Sequence, residues 1–368
     1  MKVFAAMSGG VDSSLTAALL LEQGYAVAGV TMCFELPSAA RPGTASCCGR
    51  EAFDAARSVC RHLGIEHHVL NYGDVLEELV IRDFAEEYVR GRTPNPCVRC
   101  NTFLKFDRLF RDIRGLGGTH LATGHYARVE ASSRGWVLRK GVDESKDQSY
   151  FLYGIRRESL PFVLFPLGAY TKSQVRAMAR ERALPVAERP DSQDICFVTD
   201  GKYYDVVAAR SPGGDRPGDM LDHNGRVVSR HAGLSRYTIG QREGLGIALG
   251  YPAYVYQLDS SSNTVRVGPR EKLLCCGLEA EGLRLTGMDF SQEKFDAGLK
   301  IRYNRIDIPA SVYLGKEATL RAVFHTPQHG VTPGQSVVFY DGDVVLGGAL
   351  ITGVLPDDFC LMPAKGEI

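Results

Sequence analysis

The feature that most limits how this chain can fold stands at its start. A short apolar run, Val3 to Met7, breaks into Ser8-Gly9-Gly10-Val11-Asp12-Ser13-Ser14 and passes into a helical pattern, Ser13 to Gln23, with Leu15, Ala18 and Leu19 on one face. The alternation then repeats. Tyr25 to Phe34 reads as a second strand. Glu51 to Leu63 carries Ala52, Ala55, Ala56, Val59, Cys60 and Leu63 at helical spacing and stops at Gly64. Ile65 to Asn71 and Thr119 to Thr123 supply further strands. Strands separated by helices are joined by crossovers rather than hairpins, which predicts an α/β fold with a doubly wound parallel sheet and ligands at the carboxyl ends of its strands.

The texture changes after about residue 200. From Arg216 onward Gly and Pro punctuate short runs rich in Val, Ile, Leu and Tyr, such as Ala253 to Leu258 and Thr264 to Val267, and long helical periodicity is almost absent. The expected division is a catalytic domain over 1–205 and two small β-rich domains over 206–275 and 280–364, with a boundary near Cys275-Cys276-Gly277. No internal repeat or low-complexity tract interrupts them. A chain of 368 residues with 44% hydrophobic content fills such domains and excludes disordered, collagen-like and disulfide-stapled classes.

The loop from Ser8 to Ser14 has the chemistry of an anion cradle. Its glycines let backbone turn tightly and approach a ligand, while Ser13 and Ser14 put hydroxyls and N–H groups at a helix start. It lacks the Gly-Lys-Ser/Thr ending of a Walker loop, so ordinary phosphoryl transfer to water is disfavoured. The plain alternative is a strand–helix turn with Asp12 or Ser13 as N-cap. A bare Ser-Gly-Gly would merit that reading; the full string after a strand points to phosphate binding.

Ten cysteines open four readings: core thiols, disulfides, a metal or cluster site, and sulfur chemistry. No apolar run approaches the roughly 18 residues of a membrane span, and the apolar start is too short for a signal-peptide core. A reducing cytoplasm is therefore the expected compartment, where static disulfides are rare. Gly91-Arg92-Thr93-Pro94-Asn95-Pro96-Cys97-Val98-Arg99-Cys100-Asn101 sets a C-x-x-C in a proline-stiffened loop, and Asp191-Ser192-Gln193-Asp194-Ile195-Cys196-Phe197 adds a third cysteine in a polar setting. A thiolate acts as nucleophile or ligand only with a lowered pKa, for which Arg92 and Arg99 are the local candidates. Structural zinc would need a second well-spaced pair, and Cys47-Cys48 and Cys275-Cys276 are adjacent. Cys33, Cys60 and Cys360 lie in apolar contexts and read as core thiols, and His67-His68 reads as strand packing.

The Ser8–Ser14 string resembles the pyrophosphate loop of the ATP pyrophosphatase (PP-loop) family, which implies an adenine nucleotide hydrolase-like sheet and cleavage of ATP between the α and β phosphates to adenylate a substrate oxygen. The motif alone leaves several acceptors open. Thr93-Pro94-Asn95-Pro96, Ala122-Thr123-Gly124-His125-Tyr126, Lys146-Asp147-Gln148-Ser149-Tyr150-Phe151-Leu152, Asp194-Ile195-Cys196-Phe197, Tyr237-Thr238-Ile239-Gly240-Gln241-Arg242 and Thr332-Pro333-Gly334-Gln335 resemble, over nearly the whole chain, the tRNA 2-thiouridylase branch of that family. The resemblance implies ATP-dependent replacement of the 2-oxygen of the wobble uridine by sulfur, with tRNA as substrate, ATP and Mg2+ as cofactors, and a sulfur-donor protein as partner. It assigns ATP contacts to Ala6, Met7, Ser8, Gly9, Gly10, Val11, Asp12, Ser13, Met32 and Gly124, with Met32 near the adenine and Asp12 organising magnesium. It assigns the target base to Asn95, Pro96 and Cys97, and tRNA contacts to His125, Lys146, Asp147, Gln148, Arg302, Tyr303 and Gln335. Cys100 corresponds to the nucleophile and Cys196 to the persulfide carrier, which must meet in space and end each cycle as a disulfide. The chain departs from the family at Cys97, where members carry an aspartate. Cys97, Cys100 and Cys196 together resemble related thiolases that hold a 4Fe-4S cluster, which makes cluster-borne sulfur the alternative to a persulfide.

Lys plus Arg and Asp plus Glu both number 43, so a general basic coat is excluded. Local basic stretches remain at 90–114, with seven Lys or Arg against two acids, and at 223–242, with four Arg, two His and no acid. Each alone reads as a solvated face; the first surrounds the C-x-x-C, which favours RNA phosphates, and in the second Tyr237 would stack or hydrogen-bond. Arg302-Tyr303-Asn304-Arg305 is a weaker clue. Two rivals stand beside this reading: an amide ligase acting on a small molecule, which needs neither the cysteines nor the β domains, and a non-catalytic RNA-binding or sulfur-carrier protein, which does not need an intact phosphate loop.

Overall fold

The computed structural model describes residues 1–34, 50–133, 135–190, 195–198, 202–211, 213–287, 293–304 and 306–355. Cys47, Cys48, Asp191 to Asp194, Arg305 and Cys360 lie outside the described residues. The first unit is the expected parallel sheet. β1 (Lys2–Ala6), β2 (Ala26–Cys33), β3 (His67–Asn71), β4 (His120–Ala122) and β7 (Val163–Leu164) pair in the order β3-β2-β1-β4-β7, all parallel. The crossover helices are α1 (Val11–Glu22) and α2 (Arg50–His62), each within two residues of where the apolar spacing sets it. β1 is buried over Val3 to Ala5, as a central strand covered on both faces must be.

The crossover from β3 to β4 is longer. α3 (Gly73–Leu76) runs through a π-helical stretch, Glu77–Ile81, into α4 (Arg82–Val89); after a turn, α5 (Pro96–Arg99) runs through a second π-helical stretch, Cys100–Leu109, into α6 (Phe110–Gly115). Phe84, Leu104, Phe106, Leu109 and Ile113 bury this bundle against Phe4, Val30 and Leu121 of the sheet.

Two further sheets follow. β8 (Gly218–Leu221), β9 (Val227–His231), β10 (Tyr254–Asp259) and β11 (Thr264–Gly268) form a four-stranded sheet around Met220, Val255, Val265 and Val267. β12 (Leu274–Leu285), β13 (Lys294–Lys300), β14 (Ile308–Leu314), β15 (Leu320–His329), β16 (Ser336–Asp341) and β17 (Val344–Leu355) form an antiparallel sheet that closes through β12 and β17. Closure removes the open edges that short antiparallel sheets otherwise expose.

The units are not separable at the expected boundaries. A hairpin of the first third, β5 (Ala127–Ser132) and β6 (Gly135–Lys140), extends the C-terminal sheet, with Arg139 opposite Val344. Val338, Tyr340 and Val345 join the same hydrophobic core as Phe84 and Leu104. Residue 205 falls inside α8 (Tyr203–Arg210), and Cys275 and Cys276 are buried within β12 rather than in a linker. No helix among the described residues is long and apolar enough to cross a membrane.

Candidate active site

The phosphate loop is shaped by backbone. Gly9 takes φ +75°, and a Cβ there would sit 2.2 Å from the Ala52 carbonyl oxygen, so the left-handed turn and the tight contact with α2 both demand glycine. The Ser13 hydroxyl folds the loop back, accepting from the Ser8 N–H at 3.2 Å and donating to the Gly10 carbonyl at 3.1 Å. Gly10 caps α1 without a side-chain acceptor, so the first-turn N–H groups face the loop's mouth. Gly124, at the end of β4, lies so close to α1 that a Cβ would meet the Asp12–Ser13 peptide at 2.9 Å. Ala6 and Met7 lead into this turn from β1. Val11 is buried beneath it, and Met32 is half-buried on β2 opposite Leu70.

Two cations that sequence reasoning passed over close the loop's other side. Lys172, first residue of α7 (Lys172–Glu181), puts Nζ 2.7 and 2.8 Å from the two oxygens of Asp12, whose Oδ1 also accepts from the Tyr126 hydroxyl at 2.8 Å. Arg189 donates to the Gly9 carbonyl at 3.2 Å. Tyr126 stood in a motif already singled out; Lys172 lies 160 positions from Asp12 and carried no local signal.

Asn95 starts the thiol-bearing helix. Its side-chain oxygen accepts from the Cys97 N–H at 3.2 Å and Pro96 takes the first helical position, where a missing N–H costs nothing. Cys97 is exposed and Cys100 half-buried, both unbridged. Desolvation by the surrounding protein pushes both thiols up, Cys97 although its side chain reaches solvent, against the opposing pull of the Lys105 ammonium, so both are neutral S–H groups at pH 7. Arg92 and Arg99 do not supply the activation expected of them: Arg92 pairs with Glu87, and Arg99 with Asp83 at 3.0 Å. The π register matters for Lys105. Its i to i+5 repeat sets position 105 one turn beyond Cys100. Cys196 is exposed, and its neighbours fix it: Phe197 packs edge-on against Phe84 with centroids 5.3 Å apart, while Ile195 and Val198 pack on the core that Cys100 also touches. Among the described residues no group of three His, Cys, Asp or Glu side chains comes together to hold a metal. Cys97, Cys100 and Cys196 are thus not assembled as cluster ligands here.

The residues expected at the tRNA divide into two kinds. Lys146 and Gln148 are half-buried, and Gln148 accepts from the Tyr126 N–H at 3.1 Å. Asp147 between them is turned inward, only 3% exposed, accepting from Gly141, Ser149 and Lys300. Its carboxylate shapes the turn that presents Lys146 and Gln148. His125 hydrogen-bonds Thr123 at 2.6 Å between Phe106 and Phe165, and burial beside Lys105 holds its pKa well below the usual value, hence neutral. Arg302 donates to the Ile239 carbonyl at 2.9 Å and to Thr332; Gln335 donates to the Thr93 carbonyl at 2.7 Å, and the Thr93 N–H donates to the Pro333 carbonyl at 2.9 Å. These contacts clamp the C-terminal sheet to the four-stranded one and to the turn that enters the Cys97 helix. Tyr303 packs in a tilted ring contact on Phe151, with centroids 4.5 Å apart.

The first basic stretch is largely neutralised. Arg90, Arg108 and Arg111 pair with Glu86 or Glu87, Asp112 and Asp107. Tyr237 packs on His231 inside the four-stranded sheet rather than offering a stacking face.

Family models describe the three units: a tRNA methyl transferase HUP domain over residues 1–200, a tRNA methyl transferase PRC-barrel domain over 210–269 and an aminomethyltransferase beta-barrel domain over 277–351. The tRNA-specific 2-thiouridylase MnmA of Carboxydothermus hydrogenoformans is 47% identical over 355 residues, 95% of this chain and 97% of that one. The chain belongs to the tRNA-specific 2-thiouridylase family. Its likeness to the MnmA protein of Acetivibrio thermocellus, 44% identical over 354 residues, covers 95% of this chain and 99% of the relative, and that of Roseiflexus sp. is 45% identical over 368 residues. The 2-thiouridylase family resemblance therefore extends through all three units.

Proposed function

We propose that sulfur reaches the uridine through Cys196 and Cys100, on a chain whose family membership makes it an ATP-dependent tRNA 2-thiouridylase. The preformed phosphate loop is the observation that carries this reading: it fits a nucleotide polyphosphate, with backbone N–H groups at a helix start and no room for side chains at Gly9 or Gly124. The uridine 2-oxygen attacks the α-phosphorus of ATP and pyrophosphate leaves. The terminal sulfur of a Cys196 persulfide attacks the activated carbon and AMP departs, leaving the uridine sulfur bonded to Cys196. The Cys100 thiolate attacks the Cys196 sulfur, releasing 2-thiouridine and forming a Cys100–Cys196 disulfide that an external thiol reduces.

Asp12 fits a divalent cation shared with the phosphates, which would screen their charge. The tRNA is held by Asn95, Pro96, His125, Lys146, Asp147, Gln148, Arg302, Tyr303 and Gln335 across units proposed as 1–205, 206–275 and 280–364. Cys97, a neutral thiol, is a poor substitute for the family's carboxylate and acts as a weak donor near the base. A protein persulfide is the proposed sulfur source and the cytoplasm the proposed setting. The cluster alternative lacks support from the side-chain arrangement described above. Nothing in the two rival readings requires a phosphate loop together with two thiols and a three-unit tRNA-family architecture.

The test is incubation with ATP, tRNA and a sulfur donor. AMP and pyrophosphate should form only with tRNA, and nucleoside mass spectrometry should detect 2-thiouridine. Cys196→Ala should lose 2-thiouridine by about a thousandfold or more while ATP binding persists. Thiolation that survives this substitution refutes the persulfide route.

A further inference from the structure

The phosphate loop holds a cation, Lys172, that the reaction above leaves without a role. Lys172 is rooted firmly: its N–H donates to Asp143 at 2.9 Å, and Thr171 and Gln174 form a capping box at the start of α7. Its side chain, 12% exposed, crosses the Tyr126 ring and grips both oxygens of Asp12. Asp12 stands in the first turn of α1, where the helix presents its N–H groups to an incoming anion. A carboxylate at that position repels polyphosphate, and an ammonium attracts it. Among the described residues no three ligands converge for a metal, so a cation at Asp12 must complete its shell with phosphate oxygens and water.

We propose that Lys172 is an exchangeable counter-ion. Without nucleotide it occupies Asp12 in place of a divalent cation; when metal–ATP arrives, the cation takes the carboxylate and the ammonium turns on its flexible stem to the phosphates. The inference rests on the ATP-site reading above. The exchange leaves both Asp12 and Lys172 with an opposite charge in each state and makes cation and nucleotide binding mutually dependent, because either alone must compete with the standing pair.

Mn2+ binding followed by electron paramagnetic resonance tests this, with wild type, Lys172→Met and Lys172→Arg, each with and without a non-hydrolysable ATP analogue. In nucleotide-free protein Lys172→Met should bind Mn2+ about fivefold tighter than wild type, the gain expected from removing a partly exposed competing pair. Lys172→Arg should behave as wild type. With the analogue the order reverses, and Lys172→Met should bind it about tenfold more weakly for want of the released cation. Unchanged or weaker Mn2+ binding by Lys172→Met in nucleotide-free protein overturns the exchange. Failure of the wild type to bind the analogue overturns instead the ATP-site reading beneath it.

Discussion

The phosphate loop and the thiol helix lie in one unit, yet they differ in how complete they are. The loop is finished before any ligand arrives: Gly9, Gly10 and Gly124 fix its backbone, Ser13 closes it and Lys172 neutralises it. The thiol helix has its position but not its reactivity. Cys100 is held as a neutral thiol by burial, and the arginines beside the C-x-x-C are already paired with Glu87 and Asp83. The difference teaches what each site can hold ready. In the proposed reaction the adenylation site is preorganised locally, whereas a reactive thiolate kept ready beside solvent would be prone to oxidation.

The comparison is broken most severely at the loop. Gly9→Ala forces a Cβ into the Ala52 carbonyl and strains a left-handed residue, which should lower tRNA-dependent pyrophosphate release by about a hundredfold, equivalent to roughly 3 kcal/mol of strain and displaced contacts. Equal rates for Gly9→Ala and wild type would show that the loop is not preorganised.

A smaller effect is expected at the thiols. Alkylation of Cys100 should rise with pH into the alkaline range, because burial raises the thiol above its ordinary value. Lys105→Met removes the one opposing charge and should shift that profile further upward, cutting the alkylation rate near pH 8 by about threefold. A downward shift would mean that Lys105 does not support the thiolate.

The smallest effect concerns stability. His125 is neutral in the fold with its pKa lowered, while the unfolded chain protonates it near 6.5. The unfolded state therefore binds more protons below that value. Stability from this group is complete above about pH 6.5 and is lost as pH falls toward the folded value. Thermal melts of wild type between pH 7 and 5 should fall more steeply than those of His125→Gln; parallel slopes would remove His125 from the acid response.

Much of the first unit was legible because its signals are local. The Val3–Met7 run, the helical spacing after Ser13 and the Glu51–Leu63 pattern each lie within one element, and the structure sets their ends within about two residues. The long crossover between β3 and β4 was not legible as helix, since its π-helical turns shift the apolar spacing away from the ordinary period. The division of the chain is only partly a local property. The switch to β-rich texture is real, but β5 and β6 cross it to join the C-terminal sheet, a pairing that depends on partners some 200 residues away.

The sequence by itself determined the glycine-rich loop and the parallel sheet behind it, because glycine placement and apolar period are properties of neighbouring residues. The tertiary structure alone decided which charges are available. It set Lys172 on Asp12, paired Arg92 and Arg99 with acids, turned Asp147 inward and made Arg302 and Gln335 a clamp at the unit junctions. A charge count records how many ions a chain has; only folding brings partners within the few ångströms over which Coulomb attraction and hydrogen bonding decide what each one does.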